Sequence, residues 1–198
     1  MAWTTPGTAV AGDVLTAARW NSDVRDNTTS LFKPPACFIY RTSADTAQNA
    51  TWLRPTFDAE LYDTDSMHDL STNTQRITFN TAGIYVISAG IYFENNSTSG
   101  ERILCLSKNA SNADPQTATA GVNVGTQYIN TGEAYMRMSL TTIHRFNVAD
   151  FMTMHLFQNH GAAMIVGATT SASSGFLTAP TGLTPAFHMS ATWIGNPA

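Results

Sequence analysis

The sequence predicts an all-β protein, a β-sandwich preceded by a short N-terminal arm and helix. Three observations lead to this fold class. Helical periodicity of apolar residues occurs in one stretch, near the N-terminus. From residue 36 onward, apolar and polar residues alternate in short runs, which clusters of Gly, Pro, Asn and Ser separate. The chain has 198 residues, 43% of them hydrophobic, which is enough for one core of ordinary size. We therefore divide it into an N-terminal segment, residues 1–34, and a β domain, residues 35–198.

The N-terminal segment begins with an arm, residues 1–12, that we expect to be extended because Pro and Gly interrupt it. A helix follows, and the side chain of either Asp13 or Thr16 can cap its first N–H groups. The Lys-Pro-Pro run at 33–35 ends the helix, because a residue that precedes proline is disfavoured in the helical conformation. Three hydroxyl residues just before it weaken the last turn, so the helix could also end near Asn27.

The apolar residues of this helix recur at steps of three and four and so share one face. The candidate anchoring residues are these and an aromatic residue of the arm: Trp3, Ala17, Trp20, Val24 and Leu31. A helix of about 12–15 residues is marginal alone in water. Burial of Trp20 and Val24 would contribute about 1.5–3 kcal/mol each. We therefore expect the helix to dock, either on its own β domain or, as we favour, on another protein.

One predicted strand in the β domain, residues 84–93, is apolar on both faces. Ile84 and Val86 lie on one face, and larger apolar residues line the other. A strand of an antiparallel sheet usually has one wet face, so the second face is expected to pack against another layer or another subunit. By the same alternation, the candidate residues of the core or of a subunit interface are Tyr85, Ile87, Ile91, Phe93, Phe151, His155, Phe157 and Trp193.

Two long connections are predicted, from Ser107 to Gly132 and from Gly167 to Pro185. Loops longer than about 12–15 residues are uncommon in compact domains unless they bind, pack or move.

The composition argues against several partners. Charged residues make up 12% of the chain, the net charge is −4, and the Lys and Arg residues are scattered, so a nucleic-acid partner is not expected. Neither an apolar run of about 20 residues nor a signal peptide is recognisable, so no membrane partner is expected either. A surface this poor in charge suits a component of an assembly. Cys37 and Cys105 are predicted to be buried, reduced thiols.

Neither catalysis nor a cofactor is predicted. The histidines (His68, His144, His155, His160 and His188) form no metal-binding motif and are interpreted as structural. The acidic cluster (Asp58, Glu60, Asp63, Asp65 and Asp69) is interpreted as a solvated, turn-rich loop. A cation site in the cluster is the alternative that stays open. A pair of glycosidase carboxylates is the weakest interpretation, and no Gly-x-Ser-x-Gly or phosphate-binding loop occurs.

The order of motifs in the β domain resembles a known family. Residues 76–109, RITFNTAGIYVISAGIYFENNSTSGERILCLSKN, contain a strand, a Gly-Ile-Tyr turn into a long aromatic strand, a polar hairpin and a strand ending in Lys-Asn. Residues 146–166 and 186–195 look like later strands of the same fold. The family is that of the jelly-roll domain of the complement globular head and the tumour necrosis factor superfamily. The resemblance implies a jelly roll that forms a homotrimer, with one sheet of each subunit around the three-fold axis.

The N-terminal segment has a resemblance of its own. WTTP at 3–6 and AGDVLTAARWNSDVRDN at 11–27 are similar to the start of many tailed-bacteriophage virion proteins. Trp20 departs from that pattern, in which an aliphatic residue is usual. The resemblance implies a virion structural protein, a capsid decoration or head-fibre protein that docks on capsid, neck or tail proteins. The alternative is a tail-tip or receptor-binding protein whose long loops contact a host-surface glycan or protein.

Overall fold

In the part of the chain that the computed structural model describes, one helical segment is followed by eleven strands in two antiparallel sheets. The described residues are 5–8, 10–93, 99–117, 121–132, 136–167 and 187–196. The helical segment consists of α1 (Ala17–Trp20), a π-helical stretch (Asn21–Asp26) and α2 (Asn27–Phe32). The strands are β1 (Ala36–Arg41), β2 (Asp45–Ala47), β3 (Ala59–Asp63), β4 (Arg76–Thr78), β5 (Gly83–Phe93), β6 (Gly100–Lys108), β7 (Val122–Thr131), β8 (Met136–Phe146), β9 (Phe151–Gln158), β10 (Met164–Val166) and β11 (Phe187–Gly195).

The strands form a jelly-roll β-sandwich, which confirms the predicted fold class. The seven-stranded sheet has the order β8–β5–β11–β1–β3, and β10 with β2 extends it beyond the start of β11. The four-stranded sheet has the order β4–β9–β6–β7. Most strands pair with strands that are distant in the sequence, so the two sheets form only when the whole β domain folds.

The core lies between the two sheets. Three inward residues of β5, Tyr85, Ile87 and Phe93, have no solvent exposure. They pack together with inward residues of the four-stranded sheet such as Met154 and Leu156 in one hydrophobic cluster. Burial of side chains of this size contributes about 1.5–3 kcal/mol each, which makes this cluster the main source of stability.

The two faces of β5 alternate as the sequence predicts. Tyr85, Ile87 and Ile91 point into the core, whereas Ile84 and Val86 are half-buried on the outward face of the seven-stranded sheet. The structure thus supplies a second layer for one face of β5, whereas the outward face is partly exposed at Ile84 and Val86 and buried at Tyr92.

The prediction of a long loop from Ser107 to Gly132 is wrong, because this range contains β7. Every residue from 122 to 131 except one has a partner in β6. β7 is an edge strand, and only Val124 and Ile129 of it pack against the core. The apolar alternation that reveals a strand in a sequence is therefore weak there. The second predicted long loop, from Gly167 to Pro185, lies outside the described residues after its first position.

Candidate functional site

The N-terminal helix begins after Thr16, one of the two predicted caps. Thr16 Oγ1 accepts a hydrogen bond from the N–H of Arg19 at 3.2 Å. The bond satisfies one of the N–H groups that a helix start leaves without partners. Helical hydrogen bonding ends at Lys33, which precedes Pro34. The helix therefore reaches Phe32, and the earlier end considered from the sequence does not occur.

The arm folds back along the polar side of this helix. Asp23 Oδ2 accepts a hydrogen bond from the N–H of Gly7 at 3.1 Å. Arg19 donates to the carbonyl oxygen of Thr8 at 2.6 Å and lies 3.2 Å from Asp13 Oδ2 and 3.5 Å from Asp23 Oδ2. One guanidinium thus connects the arm to the helix.

An ordinary surface helix buries its apolar stripe, whereas this helix buries polar residues and exposes apolar ones. The polar residues Asn27 and Ser30 are only 4% and 5% exposed. The apolar residues Trp20, Val24 and Leu31 are 51%, 40% and 63% exposed. The neighbouring apolar residues that are also exposed are Val14, Leu15 and Phe32. An apolar surface of this kind in water typically marks an interaction site.

We call Ala17, Trp20, Val24 and Leu31 the anchor face. All four belong to the predicted anchoring set, and each is exposed in the helical segment between Ala17 and Phe32. The fifth predicted residue, Trp3, lies outside the described residues. In this single chain the anchor face does not use the β domain as its docking partner.

The π-helical stretch Asn21–Asp26 lies in the middle of this segment. Around it, side chains hydrogen-bond to carbonyls of the preceding turn: Asn27 Nδ2 to Asp23 O at 3.3 Å and Ser30 Oγ to Asp26 O at 3.0 Å. Such bonds compete with the backbone ladder and bend helices. π-Helical turns are rare and occur frequently at functional sites, which agrees with an interacting role for the anchor face.

A second open surface is the outward face of the seven-stranded sheet, where aromatic rings cluster on β1, β3 and β11. Phe38 stacks on His188 with ring centroids 5.2 Å apart at 12°, and Tyr62 lies 6.1 Å from Phe38. The His188 ring covers Gly90, where an added Cβ would lie 2.4 Å from His188 Cε1. Glycine at this position of β5 therefore lets the imidazole lie flat on the sheet.

The middle of the same face carries small side chains. Ser88 of β5 is paired with Ser190 of β11 and accepts a hydrogen bond from Thr141 of β8 at 3.2 Å. Beyond it, the Arg137 guanidinium lies over the ring of Tyr92, 5.5 Å from the centroid. A flat, largely neutral face with aromatic groups at its sides is suited to contact with another protein surface.

The outer face of the four-stranded sheet holds three of the predicted core or interface residues, Phe151, His155 and Phe157. The inward residues of β9 are methionine and leucine, so these three lie on the opposite side from the core. His155 is nevertheless fully buried, because the segment 109–117 covers it. Its ring contacts Ala113 O at 2.7 Å through Nδ1 and Thr153 Oγ1 at 2.8 Å through Nε2. Burial lowers the pKa of His155 to about 4.

The remaining members of that set lie in or beside the core. Tyr85, Ile87, Ile91 and Phe93 belong to the central cluster, and Trp193 packs against its edge. In this chain they contribute to the core and not to an outward surface.

The acidic cluster serves local turns. Asp58 accepts from the N–H of Thr42 at 2.8 Å, and Asp63 accepts from the N–H of His68 at 2.9 Å. The side chains and N–H groups of Ser71 and Thr72 donate hydrogen bonds to Asp69 and hold the pKa of that carboxyl well below its usual range. Among the described residues no group of three or more His, Cys, Asp or Glu is placed to hold a metal ion.

Four histidines and both cysteines are perturbed by burial. Burial lowers the pKa of His144, His155, His160 and His188 and raises the pKa of the thiols of Cys37 and Cys105. Both cysteines are free and buried, as the sequence predicts. No helix in the described ranges is long and apolar enough to cross a membrane.

Comparison with known proteins supports the fold. No family model and no curated protein matches the sequence. The globular domain of zebrafish complement 1qA protein is 14% identical, has a TM-score of 0.51 and is matched over 82% of this chain and 99% of that one. Murine APRIL at pH 5.0 is 7% identical, with a TM-score of 0.53 over 80% of this chain and 98% of that one. At identities this low the likeness shows the fold alone: the β domain is a jelly roll of the complement globular-head and tumour-necrosis-factor type.

Proposed function

We propose that this chain is a bacteriophage structural protein, a trimeric capsid decoration or head-fibre protein located in the virion. Its N-terminal segment docks on another virion protein, and the jelly roll faces outward. The observation that carries the proposal is the exposed anchor face. The resemblance of residues 11–27 to virion proteins of tailed phages supports it. The role is structural and not enzymatic.

The trimer is proposed to form through the outward face of the seven-stranded sheet. The jelly-roll family to which the β domain is similar implies a three-fold arrangement that uses one sheet per subunit. Phe38, Tyr62 and His188 offer apolar area on that face, and the small residues around Ser88 allow close approach. A homotrimer would place three anchor segments on one particle partner.

Three linked anchors favour attachment even if each one binds weakly. The side chains of Trp20, Val24 and Leu31 contribute about 1.5–3 kcal/mol each when they pass from full exposure to full burial, and proportionately less from their partial exposure here. After one segment has bound, the others bind at a high effective concentration. Modest burial per chain is therefore sufficient for stable incorporation.

The test compares two double variants of the same helix. Trp20→Asp with Leu31→Asp adds two carboxylates to the anchor face, and Ala18→Asp with Thr29→Asp adds two at exposed positions outside it. Both variants should remain trimers in size-exclusion chromatography with light scattering. The first should be absent from purified particles, and the second should be incorporated as the wild type is.

Quantitative densitometry of wild-type particles decides the position on the virion. Many copies per particle are expected for a decoration protein, whereas a handful of copies would favour the tail-tip or receptor-binding alternative. Incorporation of the Trp20→Asp/Leu31→Asp variant at the wild-type level would refute the anchor.

A further inference from the structure

A continuous row of apolar side chains crosses the outer face of the four-stranded sheet. Its members lie on four adjacent backbone segments: Trp52, Phe157, Ile103 and Tyr128. Ile103 is paired with Phe157 of β9 on one side and with Tyr128 of β7 on the other. The Trp52 ring lies 5.2 Å from that of Phe157, at 43°. We call these four residues the outer row.

Ile103, in the middle of the outer row, is less exposed to solvent than the residues at its two ends. Ile103 is 9% exposed, whereas Tyr128 is 53% exposed and Trp52 is half-buried. Three strand spacings of about 4.8 Å separate the first segment from the last, so the row is about 14 Å long. A ligand a few rings long matches this length.

A rigid polar group stands at the Tyr128 end of the row. The Tyr128 hydroxyl donates to Glu101 Oε1 at 2.9 Å. Asn159 donates to Glu101 Oε2 at 2.8 Å, and its Oδ1 accepts from the N–H of Glu101 at 2.7 Å. These bonds fix the tyrosine ring and the carboxylate, so a ligand need not order them on binding.

The outer row points away from the surface proposed for trimer formation. The seven-stranded sheet and the four-stranded sheet have their outward faces on opposite sides of the core. The row would therefore stay open to solvent in a trimer, in three copies. Its four residues are far fewer than the roughly 20–30 per partner of a stable protein interface, and none of the four is charged.

We propose that the outer row is a binding site for a neutral oligosaccharide. The flat apolar faces of sugar rings stack on Trp52, Phe157 and Tyr128. A sugar hydroxyl donates to the Glu101 carboxylate, and the Tyr128 oxygen accepts from a second one. Aromatic rings with one apolar face and a polar edge are suited to a ligand that has both kinds of surface. The site does not depend on virion attachment or on the long loops.

The test uses the full-length protein and three defined probes: maltotetraose, cellotetraose and the tetramer of β-1,4-linked N-acetylglucosamine. Binding is followed by the indole N–H signal of Trp52 in two-dimensional NMR and by calorimetry. At least one probe should shift the Trp52 signal in a saturable way. If none of the three binds, the proposal is overturned.

Variants then locate the site. Tyr128→Ala should weaken binding by at least about tenfold, the loss of one well-placed ring contact of about 1.4 kcal/mol. Tyr128→Phe, which keeps the ring and removes the hydroxyl, should weaken it less. Leu70→Ala, at a residue of similar exposure (54%) in a distant turn, is the control and should bind as the wild type does. Unchanged affinity in Tyr128→Ala with a native circular dichroism spectrum would also overturn the proposal.

Discussion

Acidification should destabilise the β domain through His155. The imidazole lies in a closed network between Thr153 Oγ1 and Ala113 O and has no solvent exposure. Burial lowers its pKa to about 4, from an ordinary value of 6.5. The perturbation is therefore a change of pH from 8 to 4, measured in the wild type and in His155→Gln, in which the titrating group is absent.

The direction of the pH effect on the free energy of unfolding depends on which state, folded or unfolded, binds the proton more tightly. Between pH 6.5 and pH 4 the histidine is protonated in the unfolded chain and neutral in the folded one, so the unfolded state is favoured as the pH falls. The stabilisation is complete above pH 6.5 and is lost progressively on acidification. A gap of about 2.5 pH units at about 1.36 kcal/mol per unit corresponds to about 3 kcal/mol.

Urea unfolding at half-unit steps of pH, followed by tryptophan fluorescence, measures this effect. The free energy of unfolding of the wild type should fall relative to that of His155→Gln by about 3 kcal/mol between pH 7 and pH 4. The other three histidines with lowered pKa titrate in both proteins and cancel in the difference. Parallel pH profiles would refute the assignment of this dependence to His155.

Two further outcomes are expected. Asp150→Ala should lower the free energy of unfolding by about 2–3 kcal/mol. Asp150 contacts Lys108 Nζ at 2.8 Å and accepts hydrogen bonds from the side chain of Asn109 and the N–H of Asn147, both at 2.7 Å. Urea unfolding measures the change, and a loss below about 0.5 kcal/mol would contradict this prediction. Cys37 and Cys105 should react with a thiol reagent only after unfolding, since both are buried with a raised thiol pKa; rapid labelling in native buffer would contradict this.

Strands with strong apolar alternation were predictable, and strands without it were not. β5 has apolar residues at every inward position, and its two faces were assigned correctly from the sequence. β7 was missed, since an edge strand needs only a few inward contacts, here Val124 and Ile129, and tolerates polar residues elsewhere. His155 was predicted to be structural, but its partners Thr153 and Ala113 were hidden, because tertiary contacts hold the segment that covers it.

The anchor face shows the same division. The spacing of Trp20, Val24 and Leu31 in the sequence predicted a shared helix face, and the structure shows that all three side chains are exposed. Only the structure decided that the arm covers the polar side, because the contacts of Arg19 with Asp13, Asp23 and Thr8 depend on how the arm folds back.

The sequence by itself determined the fold class, a pair of candidate caps and a pair of candidate ends for the helix, and the inward residues of β5, because these depend on local periodicity and backbone preference. The tertiary structure alone decided which faces stay open: the anchor face, the outward face with Phe38 and His188, and the outer row. Openness depends on which distant segments pack over a surface, and alternation along one strand carries no information about that.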